Sequence, residues 1–135
     1  MNHEKLKKNE KNKIVLKEES YQFQGAIFEV YKTMGPGFLE SVYKECLKKE
    51  FEARNIPYSS EVDLNLKYKY NVLNLKFRAD LICYNSILIE LTAVNQILDI
   101  HRAQVLNYLK ATDLKLALLA NFNSHPRVEI ERIVL

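Results

Sequence analysis

Residues 73–94 read LNLKFRADLICYNSILIELTAV, and the way this stretch pairs with itself decides the fold. Tyr84-Asn85-Ser86 is a turn signal between two runs with strand character, roughly Leu73 to Cys83 and Ile87 to Val94. A turn centred on Asn85 pairs positions whose numbers sum to 170, which sets Asp80 directly opposite Glu90, on the same face of the sheet. Two like charges opposed in this way destabilise a hairpin. One reading is that a divalent cation with oxygen ligands holds them. The other is that both are partly exposed carboxylates at strand ends, each with its own water or lysine. The register matters, because a slip of one residue would send the two acids to opposite faces. By alternation Thr92 shares the face of Glu90, and Lys76 and Arg78 share that of Asp80.

Working outward, Val62, Leu64 and Leu66 alternate with polar residues and read as a half-buried strand, turning near Lys69 to Asn71 into the next. Leu98 to Lys110 reads as a helix with Leu98, Val105, Leu106 and Leu109 as its apolar stripe. Leu114 to Asn121 is an apolar β-like run, His125-Pro126 breaks it, and Val128, Ile130 and Ile133 mark a last strand. Upstream, Ser20 is an N-cap candidate for a helix whose stripe is Phe23, Ile27, Val30 and Tyr31. Met34-Gly35-Pro36-Gly37 ends it, and a second helix runs from about Leu39 to Arg54 with Val42, Cys46, Leu47 and Phe51 inward. Two helices, three strands, a helix and two strands predict an α+β, mixed α/β fold, with a central mixed sheet flanked by helices.

The totals fit one domain: 135 residues, 47% hydrophobic. Residues 1–19 read as a charged tail carrying six lysines and four acids, and 20–135 as the folded domain. Of the net charge of +3, the tail supplies +2, so the body is nearly neutral and any phosphate contact must come from a local patch or the tail. No run approaches a membrane span, and Met1 to Lys13 does not read as a secretory signal, so a cytoplasmic location is expected. Cys46 and Cys83 are too few for a disulfide scaffold and read as reduced apolar thiols; His3, His101 and His125 do not complete a zinc site.

Two further clusters carry polar chemistry. His101, Gln104 and Tyr108 share one helical face, which is either a solvated surface or a site wall. Gly35-Pro36-Gly37 leads into Glu40 and Tyr43. The helix dipole alone is a sufficient reason for an acid at Glu40, although the paired glycines could also aim it at the sheet.

Taken together, Gly37-x-x-Glu40-x-x-Tyr43 within GPGFLESVYKECL, followed by FRADLI, LIELTAV and HRAQVLNYLKAT, resembles the GxxExxY family of the PD-(D/E)XK nuclease superfamily, over roughly Ser20 to Leu135. The resemblance implies a restriction-endonuclease-like core and a metal-dependent nuclease. It implies Asp80 and Glu90 as catalytic metal ligands for Mg²⁺ or Mn²⁺, Glu40 as an auxiliary ligand, and Gln104 and Tyr108 as the Q-x-x-x-Y helix motif that shapes the site. Tyr108, His101 and Arg78 would contact substrate. The family's lysine two residues after the glutamate is Thr92 here. Three resolutions stay open: Arg78 or Lys76 supplies the cation, the metal alone supports slow cleavage, or the site is a relic. Besides a nuclease acting on DNA or RNA, the chain could then be an inactive nuclease-fold module that binds nucleic acid or protein. Eight tyrosines and an exposed sheet edge would suit a partner or a homodimer.

Overall fold

The computed structural model describes residues 21–135. The tail at 1–19 and the cap at Ser20 lie outside the described residues. Helix α1 occupies 21–34 of the described chain. It is followed by α2 (Glu40–Ala53), β1 (Tyr58–Tyr68), β2 (Asn71–Cys83), β3 (Ile87–Thr92), α3 (Asp99–Thr112), β4 (Leu116–Asn121) and β5 (Glu129–Val134). The five strands form one sheet in the order β1-β2-β3-β4-β5. β3 and β4 run parallel and every other pair is antiparallel. A parallel pair needs a long crossover, and α3 provides it. The mixed sheet flanked by helices is the architecture the sequence predicts.

The sheet is covered on both faces. On one side α1 (Phe23, Ala26, Ile27, Val30) and α2 (Tyr43, Leu47, Phe51) pack on Leu81, Cys83, Ile89, Leu91 and Leu118. On the other, Val105 and Leu109 of α3 pack on Ala79, Ile82, Leu88, Ala117 and Leu119. Covering both faces explains why every residue of β4 is buried and why its sequence, LALLAN, is an apolar run rather than an alternation. Its one polar member, Asn121, is fully satisfied. Its side-chain oxygen accepts from the Val94 and Asn123 amides, and its amide donates to the Val94 carbonyl and to Glu129.

Two apolar stripes differ from expectation. In α2 the buried residues are Tyr43, Leu47 and Phe51, while Val42 and Cys46 are only half-buried. A tyrosine can take the inward position because its hydroxyl finds partners at the core's edge. In α3 only Val105 and Leu109 are buried; Leu106 is half-buried, and Leu98, which precedes the helix, is exposed. Both cysteines are free thiols, and burial pushes the Cys83 thiol up to about 12, so it stays protonated.

Among the described residues no helix is long and apolar enough to cross a membrane.

Candidate active site

The geometry of the site begins with the β2–β3 hairpin. Leu81 pairs with Ile89, Ile82 with Leu88 and Cys83 with Ile87, and the recorded pairing stops there. This is the register that the turn at Asn85 predicts. Asp80 and Glu90 occupy the next rung, and their side chains take over the work of the ladder. The Asp80 amide donates to Glu90 Oε1 at 3.4 Å, and Asp80 Oδ2 accepts from the Leu91 amide at 3.0 Å. The two strands part at this rung, leaving the carboxylates in the fork.

A second irregularity coincides with it. Phe77 and Ala79 pack on the α3 side of the sheet, whereas Leu81 and Cys83 pack on the α1–α2 side. Strict alternation would keep all four on one face, so β2 exchanges faces across Asp80. The neighbouring strand follows: Tyr58 lies on one side, Val62 and Leu64 on the other, and between them Glu61 adopts a φ of 53°. This exchange overturns one expectation. Arg78 does not share Asp80's surroundings; it is exposed and its Nε lies 3.4 Å from Asp63 Oδ1. Lys76 is likewise exposed and makes no ion pair among the described residues.

Among the described residues the cation near the fork is Lys44, on α2. Its Nζ lies 3.3 Å from Asp80 Oδ1 and 3.9 Å from Glu61 Oε1, and its side chain is only 19% exposed. Sequence reasoning missed it. The available signal was the spacing of Glu40 and Lys44, one helical turn apart on one face.

Asp80 and Glu90 border a cleft of about 280 Å³ lined also by Glu40, Phe77, Leu91, Thr92, His101, Gln104, Val105, Tyr108 and Leu119; Lys44 reaches Asp80 from outside that lining. Four elements, α2, β2, β3 and α3, thus bring together seven of the residues singled out in the sequence; Arg78 is not among them. On α3, Gln104 Nε2 donates to the Tyr108 hydroxyl at 2.8 Å, and the Tyr108 ring stacks on Phe77 with centroids 3.6 Å apart. His101 Nδ1 accepts from the Leu98 amide at 2.9 Å. In neutral imidazole that bond leaves the proton on Nε2.

Glu40 is held at the rim by the loop before it. Tyr43 donates its hydroxyl proton to the Gly35 carbonyl at 2.6 Å and accepts from the Phe38 amide at 3.1 Å. Its ring stacks on Phe122 with centroids 4.4 Å apart. Gly37, at φ 108°, lies in a region other residues rarely adopt. The glycine and tyrosine of the GxxExxY pattern are therefore the struts of a turn that starts α2, and the glutamate between them is what the turn presents. We expect Tyr43→Phe to lower stability by about 1–2 kcal/mol, since it leaves the Gly35 carbonyl without its donor. Denaturant unfolding checks this, and an unchanged midpoint would show that the hydroxyl does not hold the turn.

The electrostatics single out Glu90. Burial, and then the charge of Asp80, push its carboxyl up to about 9, while Lys44 acts in the opposite sense. In the unfolded chain the group returns to the ordinary value of 4.5. Between these values the folded protein holds a proton that the unfolded chain has released. The stability contributed by this group is therefore complete below the ordinary value and is lost as pH rises toward about 9. In chelator, Glu90→Gln should melt several degrees higher than the native chain near pH 8.5 and close to it near pH 4. Parallel melting curves at all pH values would mean that Glu90 is not the buried proton carrier.

An oxygen donor pair of this kind suits a hard divalent cation. Among the described residues no group of three or more His, Cys, Asp or Glu side chains converges as a metal cage. Asp80 and Glu90 bring two carboxyl groups together, and Mg²⁺ commonly binds to one or two carboxylates while keeping water or phosphate oxygens for the rest.

A family model described as the PD-(D/E)XK nuclease superfamily matches residues 17–133. No curated protein matches the chain. Among solved structures the chain is similar to the crystal structure of SSO0001, at 22% identity and a TM-score of 0.55 over 70% of this chain. The match covers 48% of that protein, so the chain corresponds to about half of its length, and the likeness is one of fold.

Proposed function

The chain belongs to the PD-(D/E)XK nuclease superfamily, and on that premise we propose that it is a GxxExxY-type, Mg²⁺- or Mn²⁺-dependent nuclease whose motif lysine is replaced by Lys44. The observation that carries this reading is the fork at Asp80 and Glu90, with a mostly buried ammonium 3.3 Å from one of its oxygens.

Asp80 and Glu90 would hold the cation, with Glu40 as an auxiliary carboxylate at the rim. The cation, when bound, lowers the pKa of a water and neutralises charge on the scissile phosphate. Glu90, whose carboxyl is pushed up by burial, would have to give up its proton to hold a cation. Thr92 cannot carry charge, but its hydroxyl borders the cleft beside Glu90 and can orient the attacking water. Lys44 supplies the positive charge that a lysine at the Thr92 position would give, from a helix instead of a strand. The Gln104 amide, the Tyr108 hydroxyl and the His101 Nε2–H line the opposite wall and would fix the substrate. Arg78 faces away and has no place in this arrangement.

The same Lys44–Asp80 pair favours a second reading. An ammonium already neutralises Asp80, so the cleft could bind nucleic acid without a metal and without turnover. The test is cleavage of labelled single- and double-stranded DNA and RNA with Mg²⁺ or Mn²⁺, alongside thermal melting with each metal. The nuclease reading expects products and a metal-dependent rise in melting temperature. Neither effect, at high protein concentration with both metals, would abandon it for the binding module.

A further inference from the structure

The β1–β2 hairpin outgrows the sheet. β2 pairs with β3 only from Leu81 to Cys83, so among the described residues its residues 71–80 have β1 as their sole strand neighbour. Every residue from Lys67 to Lys76 is exposed. Tyr68 and Tyr70 are 62% and 101% exposed, and Val72 and Leu75 are also well exposed. A two-stranded ribbon is marginal in water, and aromatic and aliphatic side chains clustered on one are costly unless a partner covers them.

The charge says which partner. Leu64 to Ala79 contains Lys67, Lys69, Lys76 and Arg78 and no acid, in a chain whose total net charge is only +3. Lys67 and Arg78 have exposed acidic neighbours in Asp113 and Asp63, at 3.7 and 3.4 Å, pairs that add little and exchange readily. Lys69 lies 5.5 Å from the centroid of the Tyr68 ring, and neither it nor Lys76 has an acidic partner among the described residues. Four like charges argue against a second copy of the same ribbon and for a polyanion.

The base of the ribbon is a wall of the cleft. Phe77 lines the cleft and stacks on Tyr108, and Lys76 and Arg78 flank it in sequence. From Phe77 to the tip at Asn71 the strand spans roughly 20 Å. Exposed tyrosines alternating with lysines form a stacking platform with phosphate contacts, which suits unpaired bases and offers nothing to a base inside a duplex. We infer that the β1–β2 ribbon binds single-stranded nucleic acid and leads it to the Asp80–Glu90 cleft. The occupant rests on the nuclease reading above; the ribbon's own binding can be measured without it.

The experiment is fluorescence anisotropy of a labelled single-stranded oligonucleotide and of its duplex, in chelator, with the full native chain and with Lys69→Asn/Tyr70→Ser/Lys76→Ser. Asparagine tolerates the φ of 55° at position 69, and all three sites are exposed, so the variant should melt as the native chain does. The expected result is at least a tenfold loss of single-strand affinity, with the slope of log K against log salt shallower by about 1.4 for the two lost lysines. Unchanged affinity and slope overturn the inference, and so does an equal loss on duplex. A self-association that disappears in the variant, with oligonucleotide binding intact, would instead make the ribbon a dimer surface. Cleavage by the native chain, measured in parallel, separates the two proposals. Cleavage with ribbon-independent binding sinks only this one, and ribbon-dependent binding without cleavage sinks only the nuclease.

Discussion

Asp80→Asn should reduce metal-dependent cleavage by about 1000-fold or more while leaving the chain folded. The substitution keeps an oxygen to accept the Leu91 amide, now made by Asp80 Oδ2 at 3.0 Å, so the fork retains its shape. What it removes is half of the proposed two-carboxylate site, and the Lewis-acid contribution of a bound cation is worth several kcal/mol, with each 1.4 kcal/mol a factor of ten in rate. The variant should also lose the metal-dependent rise in melting temperature. A third readout is independent of activity. With the Asp80 charge gone, its repulsion no longer raises the Glu90 pKa, so Glu90 should titrate lower than in the native chain, though burial, the largest cause, still holds it above the ordinary value. Cleavage retained within tenfold of native would mean that the products come from another site or a contaminant, and the assignment of the fork as the metal centre would fall.

Lys44→Ala should cost on the order of 100-fold in cleavage, the scale seen when one preorganised charge donor is removed. A loss of that size has a bland explanation too. Lys44 Nζ is also 3.9 Å from Glu61, and without it the acids around the fork lose a counter-charge, so the variant could simply be distorted. The discriminating experiment adds a lysine where the family carries it. Thr92 borders the cleft beside Glu90, and Lys44→Ala/Thr92→Lys should recover most of the lost rate if charge at this point is what matters. A distorted variant would not be rescued by a lysine on another element. No rescue in a double variant that melts like the native chain would show that Lys44 acts structurally and that the charge is supplied elsewhere.

The sequence and the structure agree where local rules are strict. The hairpin register follows from a turn centred on Asn85, and the structure has that register rather than the one-residue slip that would have parted Asp80 from Glu90. Helical spacing made it legible that Gln104 and Tyr108 share a face; that this face borders the cleft was implied only by the resemblance, since a solvated surface has the same spacing. What failed was alternation carried too far. Arg78 was expected on Asp80's face because strand side chains alternate, and the exchange of faces across Asp80 voids the rule at the one position where it was needed. Its cause is non-local: the conformation of Glu61 on β1 and the parting of β2 from β3. Lys44 escaped because a lysine one turn after a glutamate looks like any solvated helix face; only tertiary packing sets it against β2. The core role of Tyr43 was hidden for the converse reason: its ring belongs to the core and its hydroxyl to a turn, so the apolar pattern points to its neighbours Val42 and Cys46 instead.

The placement of Lys44 has a consequence for how such a site could change by single steps. An ammonium that reaches the fork from α2 does not compete with residue 92 for space on the strand, so a chain could carry lysines at both positions for a time. Two carboxylates at the fork and a third at Glu61 would balance both charges. The helix lysine would then come first, the strand lysine would become redundant, and its loss to threonine would be nearly neutral. The reverse order passes through a fork with no cation at all, the state that Lys44→Ala recreates. Thr92→Lys in the native background is a reconstruction of the two-lysine stage, and its tolerance is the measure of whether that path is open.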